Sequence, residues 1–208
     1  MIPVSDINTG PIGTLYFQHC STSFADAVSD VCEGGFSHVG MLVDDGWLPL
    51  VIEAYPPLGV IMTPLDDFIN SAETTVVGEF IPPFVELSKR AARISLRFLG
   101  RDYNKAFDIK SDKMYCSQLI YQCFLEANNG KPFFKLKPMN FFNGSRLLPE
   151  WHNYFIDLKV AVPQNRPGIS PTSIYKSQML KKSIYMHGKP GISLVPRFEN
   201  KRFFPPVP

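Results

Sequence analysis

The chain predicts an α+β domain in which an antiparallel β-sheet is laid down early and packed by helices that follow it. Three observations carry this expectation. Short segments rich in β-branched and aromatic residues crowd roughly the first eighty positions. Two longer segments with helical spacing come after them and stop at glycines. No regular alternation of strand and helix, the mark of parallel crossover units, runs through the chain. At 208 residues the length fits one core with an extension. With 45% hydrophobic and 19% charged residues the composition is that of a globular chain. No apolar run approaches the roughly 18 residues needed to cross a bilayer, and the N-terminus as given lacks a basic segment followed by an apolar one.

Taken in order, Thr14 to His19 alternates and reads as a strand, and Ser23 to Val31 reads as a short amphipathic helix capped by Ser23. Ser37 to Asp44 and Trp47 to Tyr55 read as a hairpin closed by Asp45-Gly46. Val60 to Thr63 is a further strand, with Thr63 as cap and Pro64 as first residue of the helix that follows. Thr74 to Ile81 is another strand, Glu86 to Leu99 a helix stopping at Gly100, and Tyr115 to Ala127 a second helix stopping near Asn129-Gly130. Residues 1–180 are expected to form the main domain. Residues 181–208 are expected to form a basic, proline-rich extension packed on it.

A two-residue Asp-Gly turn fixes the register of its hairpin. Centred on Asp45-Gly46, it sets Val39 opposite Ile52, Met41 opposite Leu50 and Val43 opposite Leu48, so one face is wholly apolar. On the other face it sets His38 opposite Glu53, with Gly40 leaving space beside the imidazole. Opposed side chains of an antiparallel pair have Cβ atoms roughly 4.5–5.5 Å apart, so the imidazole can bond the carboxylate. A carboxylate on one ring nitrogen fixes the tautomer and frees the other nitrogen as a base. The same pair is also what an ordinary cross-strand polar contact would look like.

Of the four cysteines, Cys20, Cys32, Cys116 and Cys123, none forms a C-x-x-C pair, and the gaps around Cys20, Cys32 and His38 match no short zinc spacing. Neither a redox motif nor a metal site is expected. Cys116 opens a helix, where free amide groups and the positive dipole end favour a thiolate. Cys123 lies seven residues on within the apolar stripe and reads as buried core, Cys32 reads as structural, and Cys20 at a strand end is a minor competitor for the nucleophile.

The order His38, Glu53, Cys116 resembles the circularly permuted papain-fold amidases of the NlpC superfamily, the YiiX/YaeF type, in which histidine and acid precede the cysteine. The resemblance rests on Gly13-Thr14-Leu15-Tyr16-Phe17, Phe36-Ser37-His38-Val39-Gly40, Val51-Ile52-Glu53-Ala54, Gly100-Arg101-Asp102-Tyr103-Asn104 and Tyr115-Cys116-Ser117-Gln118-Leu119, with Ser170-Pro171-Thr172-Ser173-Ile174-Tyr175 as a late helix start. It covers about residues 10–180. Thr14 departs from the aspartate usual in the first strand. The resemblance implies a permuted papain-like fold, Cys116 as nucleophile, His38 as general base, Glu53 as the residue orienting it, and Tyr115 as a substrate or oxyanion contact.

It further implies a cysteine hydrolase acting on a peptide-like amide, plausibly a cell-wall peptide, with no metal or organic cofactor. Relatives like lecithin retinol acyltransferase keep the permuted order and act on lipid acyl esters, so an acyl-lipid substrate is the alternative, and a silent envelope-binding module a third. The net charge of +2 argues against nucleic acid. It hides an acidic body and a basic tail. Residues 158–208 hold nine Lys or Arg and only Glu199 as an acid, against twelve basic and eighteen acidic residues before them. Contact of this tail with an anionic surface, and a bacterial envelope location, are the corresponding expectations.

Overall fold

The computed structural model describes residues 10–20, 35–44, 46–143 and 145–186. The expected helix at 23–31 and the tail from 187 lie outside them. Strands Leu15–His19 (β1), His38–Asp44 (β2), Leu50–Tyr55 (β3), Gly59–Pro64 (β4) and Thr74–Phe80 (β5) form a sheet with a late strand, Leu180–Met186. The late strand sits at the edge, on β5, and the order runs from it through β5, β1, β2 and β3 to β4. Every neighbouring pair is antiparallel, which is the expected α+β class. The boundary expected at residue 180 falls inside the late strand, so the sheet takes in residues 181–186 of the extension.

Alternation along each strand sends successive side chains to opposite faces. Leu15, Phe17, Val39, Met41 and Ile52 face the main core, which the helices Val85–Ser95 and Cys116–Ala127 complete through Leu87, Ala91, Leu119, Ile120 and Phe124. Tyr16, Leu42, Val51 and Val77 face the other way, onto Leu65, Phe68 and Ile69 of a short helix. That helix, Leu65–Asn70, is α1, so Val85–Ser95 is α2 and Cys116–Ala127 is α3. Beyond α3 the chain forms short ladders, Lys137–Pro138 (β6) with Pro167–Gly168 (β9) and Phe142–Asn143 (β7) with Arg146–Leu147 (β8). They accompany the helices Pro149–Asp157 (α4) and Pro171–Tyr175 (α5) and precede the late strand, β10. Phe141, Trp151 and Phe155 make a third, aromatic core in this region. No helix of the described residues is long and apolar enough to cross a membrane.

Two expectations are corrected. The hairpin register is offset by two residues: Met41 faces Ile52 and Leu42 faces Val51, with an irregularity between Leu42 and Asp44. The cause is a longer loop. Pro49 has no N–H to donate to a ladder, β3 starts only at Leu50, and Trp47 is 94% exposed. Because the offset is even, no side chain changes face. Thr63, expected to cap α1, does not; Pro64 holds the cap position and no side chain bonds the first turn.

Candidate active site

Strands β1 and β3 and helices α1 and α3 converge on His38 of β2. Continued to its open end, the observed register sets Tyr55 beside His38 and Gly40 beside Glu53, so the histidine and the glutamate meet diagonally rather than face to face. Their contact is nonetheless direct: Nε2 of His38 lies 2.6 Å from Oε2 of Glu53, with both residues buried. The other carboxylate oxygen, Oε1, accepts a hydrogen bond from the Thr63 hydroxyl at 2.5 Å.

The imidazole is walled by Phe68 of α1, with ring centroids 5.7 Å apart, and by Tyr55, edge-on at 6.0 Å. Gly40 makes room for this wall, since a Cβ there would lie 2.4 Å from Val51 and 2.9 Å from the Phe68 ring. The Gln18 amide, on the strand beside His38, donates to the Phe68 carbonyl and fixes the start of that wall.

Cys116 is the first residue of α3, as expected, and only 6% exposed. Its side chain and the His38 ring line the same cavity, close enough for the two groups to influence each other's charge. With Nε2 turned to Glu53, Nδ1 is the nitrogen left for the thiol. Burial disfavours the charged imidazole, but the hydrogen bonds and charges of Cys116 and Glu53 outweigh it and hold the His38 pKa well above the ordinary 6.5. The site therefore favours a protonated imidazole between two anion-forming groups.

The start of α3 is held from two sides. Gln118 receives the Tyr115 N–H and the Asn104 amide on its carbonyl oxygen, and donates to the Ile109 and Ser111 carbonyls. The Ser117 hydroxyl donates to the Ile169 carbonyl at 2.7 Å, and the Ile169 N–H donates back to the Tyr115 hydroxyl at 3.3 Å. Tyr115 is thus an internal strut, 3% exposed and packed on Phe107, as well as part of the cavity wall. One step along, the Phe36 N–H donates to Thr172 of α5, tying the histidine strand to the same late segment.

A cavity of about 380 Å³ opens beside Cys116 and His38. Tyr55, Tyr103, Phe107, Met139, Phe141, Trp151 and Ile169 form its walls, and among the described residues Lys137 is the one Lys, Arg, Asp or Glu that lines it. The motif reading missed Tyr103 as an individual site residue. Burial and the neighbouring Cys116 raise its pKa well above 10, so it stays a phenol, and its hydroxyl has no hydrogen-bond partner among the described residues. Cys20 lines the same cavity; burial raises its pKa above the usual thiol value. Cys123, by contrast, is fully buried with its pKa pushed well up, in keeping with a core thiol.

A family model described as a permuted papain-like amidase enzyme, YaeF/YiiX, C92 family, matches residues 9–184. The uncharacterized protein YiiX of Escherichia coli strain K12 is 30% identical over 121 residues, 55% of this chain and 57% of that one. The matched stretch therefore spans little more than half of that relative. The crystal structure of the metalloprotein YiiX from Escherichia coli O157:H7 superposes with a TM-score of 0.71 at 24% identity, over 84% of this chain and 96% of that one.

Proposed function

Because the chain belongs to the permuted papain-like amidases of the YaeF/YiiX type, we propose that it is a cysteine hydrolase in which Cys116, His38 and Glu53 cleave a peptide-like amide. The observation that carries this reading is the His38 ring bonded to the buried Glu53 and sharing a cavity with Cys116 at the start of α3. The Cys116 thiolate attacks the amide carbon while His38 holds the proton. The developing oxyanion is received by the Cys116 N–H, free in the first turn of α3, a contribution of typically about 3 kcal/mol. The Tyr103 hydroxyl, on the wall of the same cavity, is a second donor. His38 then protonates the leaving amine, the C–N bond breaks, and a thioester remains on Cys116. Water enters, His38 takes its proton as base, and the acid is released with the thiolate restored. Glu53 keeps the ring in the tautomer that serves both steps.

A second reading keeps these residues and changes the substrate to an acyl ester or acyl amide of a lipid. The wall of Phe107, Phe141 and Trp151 favours it, because such a wall desolvates an apolar acyl group and offers a charged cell-wall peptide few partners. A second, polar depression shares Tyr103 with the cavity and carries Lys105, Lys110 and Lys113, a place for the leaving group. The neighbour described as a metalloprotein raises the question of a metal, yet among the described residues no three His, Cys, Asp or Glu side chains form a ligand group. An anionic envelope surface as the place of work rests on the charge of the tail alone.

The deciding experiment is iodoacetamide labelling of each cysteine against pH, read by mass spectrometry, in the wild type and in His38→Ala. Fast labelling of Cys116 below about pH 7, lost in the variant, is expected. A panel of peptide amides, N-acyl amides and acyl esters then separates the two substrates. A Cys116 no more reactive than a free thiol would leave a silent binding module.

A further inference from the structure

The relay does not stop at Glu53. Its carboxylate is buried and each oxygen has one side-chain partner, Oε2 with His38 and Oε1 with the Thr63 hydroxyl. A glutamate's terminal torsion is broad and nearly two-fold, so a bond to one oxygen leaves the carboxylate plane free to turn. A bond to each oxygen fixes it. Thr63 is itself 3% exposed and sits on β4, paired with Val51 and diagonal to Glu53. Strands β2, β3 and β4 thus each supply one side chain to a single line running Cys116, His38, Glu53, Thr63.

Two features mark the Thr63 contact as more than a convenient hydrogen bond. At 2.5 Å it has the length of a charge-assisted O–H···O⁻ bond. Thr63 also stands one residue before Pro64, which itself holds the N-cap position of α1, so the hydroxyl is not a helix cap and its proton is given to the buried carboxylate.

We propose that Thr63 is a positioning residue of the reaction, fixing the plane of Glu53 so that Oε2 stays aligned on Nε2 of His38. It touches no substrate and acts through Glu53. The proposal rests on the hydrolase reading of Cys116, His38 and Glu53. Without the hydroxyl, Oε1 is a buried acceptor with no partner, and a carboxylate in that position turns or draws in water at the expense of its bond to the imidazole.

The test compares Thr63→Val, which keeps the shape and removes the hydroxyl, with Thr63→Ser, which keeps the hydroxyl. The readout is the pH profile of iodoacetamide labelling at Cys116, which needs no known substrate. Thr63→Val is expected to slow labelling at neutral pH by about tenfold, the size set by one unpaired buried acceptor, and to move the profile toward that of His38→Ala. Thr63→Ser should stay within about twofold of wild type. Thermal unfolding separates this from a merely structural effect, because a destabilised but folded variant keeps the wild-type profile if Thr63 only supports the strand. Should Thr63→Val not fold, Thr63→Ala carries the same comparison. Wild-type labelling that ignores His38→Ala overturns the hydrolase reading; labelling that depends on His38 but not on the Thr63 hydroxyl overturns this proposal alone.

Discussion

The two ends of the β2–β3 hairpin are built to different standards. At the turn, Trp47 and Leu48 stand 94% and 46% exposed, Pro49 interrupts the ladder, and the pairing is irregular between Leu42 and Asp44. At the open end, His38 and Glu53 are buried, bonded to each other and enclosed by Phe68, Tyr55 and Thr63. The flanking strands account for the contrast. Gln18 of β1 pairs with His38 and Ile61 of β4 with Glu53, so the open end is fixed from both sides and needs no tight turn to set it. Register at a site can be held by neighbours in the sheet while residues near the turn stand exposed and irregularly paired.

The comparison breaks hardest at the open end. Cys116→Ala should abolish turnover of any substrate, and Glu53→Gln should lower kcat by about 10²–10⁴ while leaving the fold intact, since it disturbs the tautomer rather than the packing; steady-state kinetics and circular dichroism check both. Tyr103→Phe is expected to cut kcat by about 10²-fold with little change in KM, as loss of one oxyanion donor does. A KM effect alone would place Tyr103 in binding instead. Gly40→Ala forces a methyl against Val51 and Phe68, and should cost about 1–3 kcal/mol in urea unfolding.

Protonation sharpens the same contrast. The His38 pKa is raised in the folded state, so its contribution to stability is fully present below about pH 6.5 and is lost as pH rises through the higher folded value. Melting temperatures measured from pH 6 to 9 should therefore fall more in the wild type than in His38→Gln. At the loose end, Trp47→Ser should change stability by no more than about 0.5 kcal/mol and leave labelling of Cys116 untouched. A large effect there would mean that the turn does govern the site.

How far these features could be read in advance follows from how local their causes are. The pairing of His38 with Glu53 survived a wrong register because an offset of two preserves every face, and Cys116 at a helix start rests on one segment of chain. Thr63 was misread because capping is a local rule and its carboxylate partner lies on the neighbouring strand. The aromatic cavity was out of reach. Phe107, Phe141, Trp151 and Ile169 are far apart in sequence and meet only through loops and two-residue ladders that leave no periodic pattern. Tyr103 stood within a recognised motif, but its place on the cavity wall is a property of the assembled fold.

The late segment that braces the site has a consequence for timing. His38, Glu53 and Cys116 all leave the ribosome before Ile169 and Thr172, which join the start of α3 and the histidine strand. β10 follows later still to finish the sheet. A growing chain thus carries His38, Glu53 and Cys116 for some fifty residues of synthesis before the segment that braces them is made.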